Sequence, residues 1–161
     1  MVFASLISLL AGCGAPPAAV SGTAGGITFE ETTSAYFGGP YVVIANGEVD
    51  CVDLAWIRRS YEDGVAPTDS SVELLQFAIN GDSSPTVAEG RVAVGVAANV
   101  SATLVKVAGG TPTFSRAEGG FLDIDTVEAE SEAVGSFEGL AFEDGTLSGT
   151  FTATWCRNLR N

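Results

Sequence analysis

An all-β fold, either an antiparallel β-sandwich or a closed β-barrel of about eight strands with one short helix, is the architecture this sequence predicts. Three observations carry that expectation. Glycine occupies 20 of 161 positions with no repeating period, well above the usual ~7%. Apolar and polar residues alternate with a period of two through long stretches, the pattern of strands with one buried face. Gly-Gly, Asn-Gly and Asp-Gly pairs fall between those stretches, where hairpins turn. The chain is 46% apolar, enough for a core, and its length suits a single domain.

Taken in order, strands are expected at 27–30 (ITFE) and 41–45 (YVVIA), on either side of the turn-rich Gly38-Gly39-Pro40, with Asn46-Gly47 ending the second. Residues 50–61 (DCVDLAWIRRSY) contain no turn residue. Asp50 can cap a helix there, with Asp53 in its first turn and Arg58 and Arg59 in its last, as the helix dipole favours. Val52, Leu54 and Trp56 suit a strand equally, and the helix is preferred. Strands follow at 72–79 (VELLQFAI) before Asn80-Gly81-Asp82, at 91–97 (RVAVGVA) with Val92, Val94 and Val96 alternating with small residues, and at 101–107 (SATLVKV) before Gly109-Gly110.

Residues 121–127 (FLDIDTV) set Leu122 and Ile124 against Asp123 and Asp125. In 134–143 (VGSFEGLAFE), Phe137 has one parity while Leu140 and Phe142 have the other, so a bulge at Gly139 is needed to keep all three inside. Asp144-Gly145 then reads as a type I′ turn into 146–156 (TLSGTFTATWC), where Leu147, Phe151, Ala153 and Trp155 oppose a threonine-lined face.

Charge excludes several functions. With 7 Lys and Arg against 20 Asp and Glu, the net charge is −13, which removes the cationic surface that nucleic acid requires. The chain has no histidine, so neither a Ser/His nor a Cys/His nucleophile can be assembled, nor an imidazole metal site. No enzymatic activity is expected.

The first ionisable side chain is Glu30. Residues 2–11 (VFASLISLLA) form an apolar run of ten, too short for a bilayer span but suited to the core of a signal peptide. Nothing basic precedes it, which places a start upstream of Met1 or leaves the basic region out of this sequence. The run ends in Leu10-Ala11-Gly12-Cys13, which resembles the lipobox of bacterial lipoprotein precursors at all four positions. The resemblance implies cleavage after Gly12, diacylglycerol on the Cys13 thiol and acylation of the new amino terminus. Two or three acyl chains give stable anchoring, each buried CH₂ contributing about 0.8 kcal/mol. Gly14 after the cysteine, rather than Asp, favours the outer membrane. The expected organisation is a signal peptide at 1–12, a lipid-anchored flexible linker at 13–26 (CGAPPAAVSGTAGG) and a single β domain at 27–161. Residues 135–156 look like the tails of small β-rich bacterial lipoproteins of no assigned function, and that likeness transfers no activity.

Cys51 and Cys156 remain, an even pair in an exported chain and therefore an expected disulfide. Eight carboxylates lie between Asp123 and Asp144 without an intervening cation. Among them Asp123, Asp125 and Glu128 are the candidate ligands for calcium, although they lack EF-hand spacing and read equally as a solvated strand face. No other cofactor is expected. The expected function is a structural or binding module of the envelope, anchored to the membrane through Cys13 and meeting a protein or small-ligand partner. The alternatives are a lipocalin-like small-ligand carrier and an acidic inhibitor of a basic envelope enzyme such as lysozyme.

Overall fold

The computed structural model describes residues 17–29, 34–54, 71–80 and 86–159. Eleven strands run through these residues and join in one sheet. They are β1 (Ala18–Ala24), β2 (Ile27–Thr28), β3 (Ser34–Gly38), β4 (Tyr41–Asn46), β5 (Val72–Ile79), β6 (Gly90–Ala93), β7 (Val100–Ala108), β8 (Thr111–Arg116), β9 (Gly119–Glu128), β10 (Glu132–Phe142) and β11 (Gly145–Trp155), followed by a 3-10 turn at Arg157–Leu159. Their spatial order is β6-β9-β10-β11-β3-β4-β5-β7-β8, with β1 against β11 and β2 beyond β1. The sheet curls into a half-barrel. Its ends approach where Val94, just past β6, makes a parallel bridge to Val100 at the start of β7.

The all-β expectation holds, but one continuous curled sheet stands where eight strands in a sandwich or closed barrel were expected. Three strands were not anticipated. β8 (TPTFSR) is a polar edge strand containing Pro112, and β3 (SAYFG) runs into the glycines read as a turn. The third, β1, corrects the linker expectation for its segment: Ala18 to Thr23 pair in register with Phe151 to Thr146. Small side chains do not prevent pairing, because the ladder is made by backbone groups and Ala18 and Ala24 are small enough to be buried against the neighbouring strand. β11 therefore shares one edge between β1, antiparallel, and β3, which runs parallel to it through Thr154–Tyr36 and Trp155–Phe37.

The bulge lies where the phase break requires it. Phe137 pairs with Gly149 and Leu140 with Leu147, so β10 carries one residue more than β11 over this stretch. Gly139 takes φ 61°, donating its N–H to Ser148 Oγ at 2.9 Å, and Phe137, Leu140 and Phe142 are all buried. A second register shift, between Val134 and Gly135 of β10, leaves Asp125 of β9 unpaired. The expected Asp144-Gly145 turn moves by one residue. Phe142 pairs with Gly145, so Glu143 and Asp144 form the turn, and neither has positive φ. Gly145 serves a different purpose: a Cβ there would collide with the Thr23 carbonyl oxygen of β1. The expected strand at 91–97 stops at Ala93, because the chain reverses after Val94 with Gly95 donating to the Val100 carbonyl. Val94 is buried, whereas Val96 is 71% exposed.

Two apolar clusters result. The concave side holds the larger, in which Phe77 and Phe137 meet at 5.5 Å amid Ile44, Leu75, Leu104, Leu122, Leu140 and Leu147. The smaller lies on the convex side of β4, β5 and β7, where Val43, Ala45, Leu74, Val105 and Val107 are covered by Leu54, Cys156 and Leu159. Residues 51–54 are helical, with the Asp50 carbonyl accepting from the Asp53 and Leu54 amides. The remainder of the expected helix, including Trp56, Arg58, Arg59 and Tyr61, lies outside the described residues.

Candidate functional site

Cys51 and Cys156 are joined in a disulfide, with Cα atoms 5.6 Å apart. Helical turn and strand end meet there for a packing reason. Leu54 and Leu159 cover the convex apolar rows of β4, β5 and β7, and this brings the start of the turn beside the end of β11. Asn158 Nδ2 donates to the Cys51 carbonyl at 3.2 Å, and Cys156 is fully buried. The closed loop spans 105 residues. The proposed lipid attachment point, Cys13, lies outside the described residues.

The three candidate calcium ligands are not brought together. Asp123 sits 3.6 Å from Arg91, which also binds Glu138 at 2.9 Å and lies 4.5 Å over the Phe121 ring. Asp125 is exposed on its bulge, and Glu128 accepts from the Ser131 hydroxyl at 3.4 Å at the β9–β10 turn. Among the described residues no group of three or more Asp, Glu, Cys or His side chains is placed to hold a metal ion. The acidic stretch has no cation within it in sequence, but β6 supplies one through the pairing of Arg91 with Asp123. Nothing local announces that pairing, because it depends on which strand lies beside β9.

A further ion pair lies on the face of β5 and β7 that carries Leu75, Phe77 and Leu104. Lys106 Nζ stands 2.8 Å from Glu73 Oε1, and Asn46 Nδ2 donates to the other oxygen at 2.9 Å. Burial acts to raise the Glu73 carboxyl, but the hydrogen bonds from Lys106 and Asn46 and the nearby ammonium charge outweigh it, so the group is held below its ordinary value.

Two concavities have the lining of a binding site. At one end of the half-barrel, Phe37, Val87, Val127 and Trp155 enclose a mainly apolar recess of about 290 Å³ with Glu130 at its lip. Phe37 and Trp155 pack edge to face at 5.3 Å, which follows from the parallel pairing of β3 with β11. Glu130 holds φ 57°, the only positive value at a non-glycine among the described residues. On the convex face a broader groove of about 650 Å³ crosses β4, β5, β7 and β8. Neither concavity was visible in the sequence, because each is made by residues from strands distant in the chain. Comparison with family models, curated proteins and solved structures finds no match to this chain.

Proposed function

We propose that this protein is a lipid-anchored module of the bacterial cell envelope, held in the outer membrane through Cys13 and acting by binding rather than by catalysis. One observation carries the reading. The disulfide accounts for Cys51 and Cys156, so of the 3 cysteines the one left over is Cys13, within Leu10-Ala11-Gly12-Cys13. A disulfide closing so long a loop suits an oxidising compartment, and a histidine-free chain supports binding over acid–base chemistry. The test is metabolic labelling with an alkyne-bearing palmitate. Wild type is expected to take up label and fractionate with membranes, and Cys13→Ser to lose both. Unchanged fractionation of the variant would refute the anchor.

The apolar recess favours a second reading, in which the module carries a small apolar ligand and the curl, with its ends meeting at Val94 and Val100, is an incomplete barrel of the carrier type. A recess of about 290 Å³ lies at the lower limit of ligand pockets, which begin at ~300 Å³. N-phenyl-1-naphthylamine should then brighten on titration with the protein, and Val127→Glu should abolish the signal. A response that is identical in the variant rules this reading out.

A further inference from the structure

The convex groove differs in composition from the rest of the chain. Its lining among the described residues is Tyr41, Gln76, Ala78, Asn80, Ser101, Thr103, Phe114 and Arg116, with no carboxylate among them, although the chain carries 20 Asp and Glu. The register explains how these residues share one face. Gln76 is opposite Thr103 and Thr103 opposite Arg116, while in the adjacent row Tyr41 faces Ala78 and Ala78 faces Ser101. On the same face the neighbouring rows, Leu74–Val105 and Val72–Val107, lie in the cluster that Leu54 and Leu159 cover. The polar rows begin where that cover ends.

Among the described lining residues Arg116 is the single charge. Arg91 and Lys106 are each engaged by carboxylates, whereas among the described residues no carboxylate lies within ion-pair distance of Arg116. Tyr41 on β4 and Phe114 on β8 stand at opposite corners, three strand spacings apart, or roughly 14 Å in that direction alone. Between them lie two side-chain amides and two hydroxyls, each able to donate and accept. Aromatic rings at the ends, neutral two-way hydrogen-bonding groups between, and one guanidinium form a set suited to linked sugar rings that bear a carboxylate. A groove of about 650 Å³ is within the size range of small-ligand sites.

We propose that this groove binds an acidic oligosaccharide: sugar rings stack on Tyr41 and Phe114, Gln76, Asn80, Ser101 and Thr103 hold ring hydroxyls, and Arg116 takes a carboxylate. The inference rests on the binding-module reading and names its ligand class. It is tested with the full chain in detergent micelles, by calorimetry and amide NMR, using tetragalacturonate, an alginate tetramer and a hyaluronan tetrasaccharide as probes. At least one should bind and shift the amide signals of Gln76, Thr103 and Arg116. Arg116→Met should weaken that probe about tenfold or more, Arg116→Lys by less. Tyr41→Ala should weaken acidic and neutral tetrasaccharides alike. Three results would each overturn the proposal: failure of all three probes at millimolar concentration, equal binding by Arg116→Met, or an equal response to tetra-alanine, which has a free carboxylate and no sugar ring. None of these readouts involves Cys13, so the groove and the anchor can fail independently.

Discussion

β4 and β11 both pack against the same interior, yet they differ on their other side. β11 alternates, with Leu147, Phe151 and Ala153 buried and Thr146, Thr150, Thr152 and Thr154 exposed. In β4 the four residues Val42 to Ala45 are all buried, because the helical turn and the chain's end cover its convex face. A threonine face is complete in water. A valine face needs a cover, and here the cover is attached through a disulfide.

That contrast sets the order of expected effects. Cys51→Ala with Cys156→Ala should be the most damaging change, lowering stability by about 2–5 kcal/mol because it frees a long loop and loosens the cover. Urea unfolding of the variant and of reduced wild type should agree, and a loss under about 1 kcal/mol would mean the cover holds without its bond. Next, one side chain can be placed on the convex face of each region. Leu74→Gln should cost about 2–4 kcal/mol, while Thr152→Gln should stay within about 0.5 kcal/mol. Comparable effects at the two sites would break the comparison.

Gly145→Ala should cost about 1–3 kcal/mol by pushing β1 away. Hydrogen exchange should quicken selectively at residues 18–24, and uniform quickening would contradict this assignment. Glu73→Gln should have the smallest effect, about 0.5–1 kcal/mol at neutral pH for a partly exposed pair. The folded carboxyl lies below its ordinary 4.5, so the stabilisation is complete above that value and is lost as pH falls through the folded one. The gap between wild type and variant should therefore close in acid, and a gap unchanged at pH 2 would place its origin elsewhere.

The same contrast explains what could be read from the chain. Alternation in 146–156 and the phase break at Gly139 are local signals, and both matched the structure. The continuous run of β4 marks burial on both faces but does not say what lies on the second. β1 escaped notice because Ala, Ser, Gly and Thr have the composition of a linker, and its partner, β11, lies more than a hundred residues away. The disulfide followed from counting cysteines, whereas the groove depends on a register shared by four strands that only the folded sheet provides.

The pairing of β1 with β11 also limits how far an anchored domain can stand from its membrane. A linker of fourteen residues would allow excursions of roughly 50 Å, but only three residues separate Cys13 from Pro17, whose carbonyl already accepts from Thr152, and the four steps from one to the other reach no further than roughly 14 Å. With lipid on Cys13, the domain is on a short leash. The end of β1 nearest the lipid lies beside Phe151, a few residues along the sheet from the β9–β10 turn with Glu128, Glu130 and Glu132. Anionic headgroups repel such a tip, so the acyl chains would pull the domain down while its glutamates hold it upright.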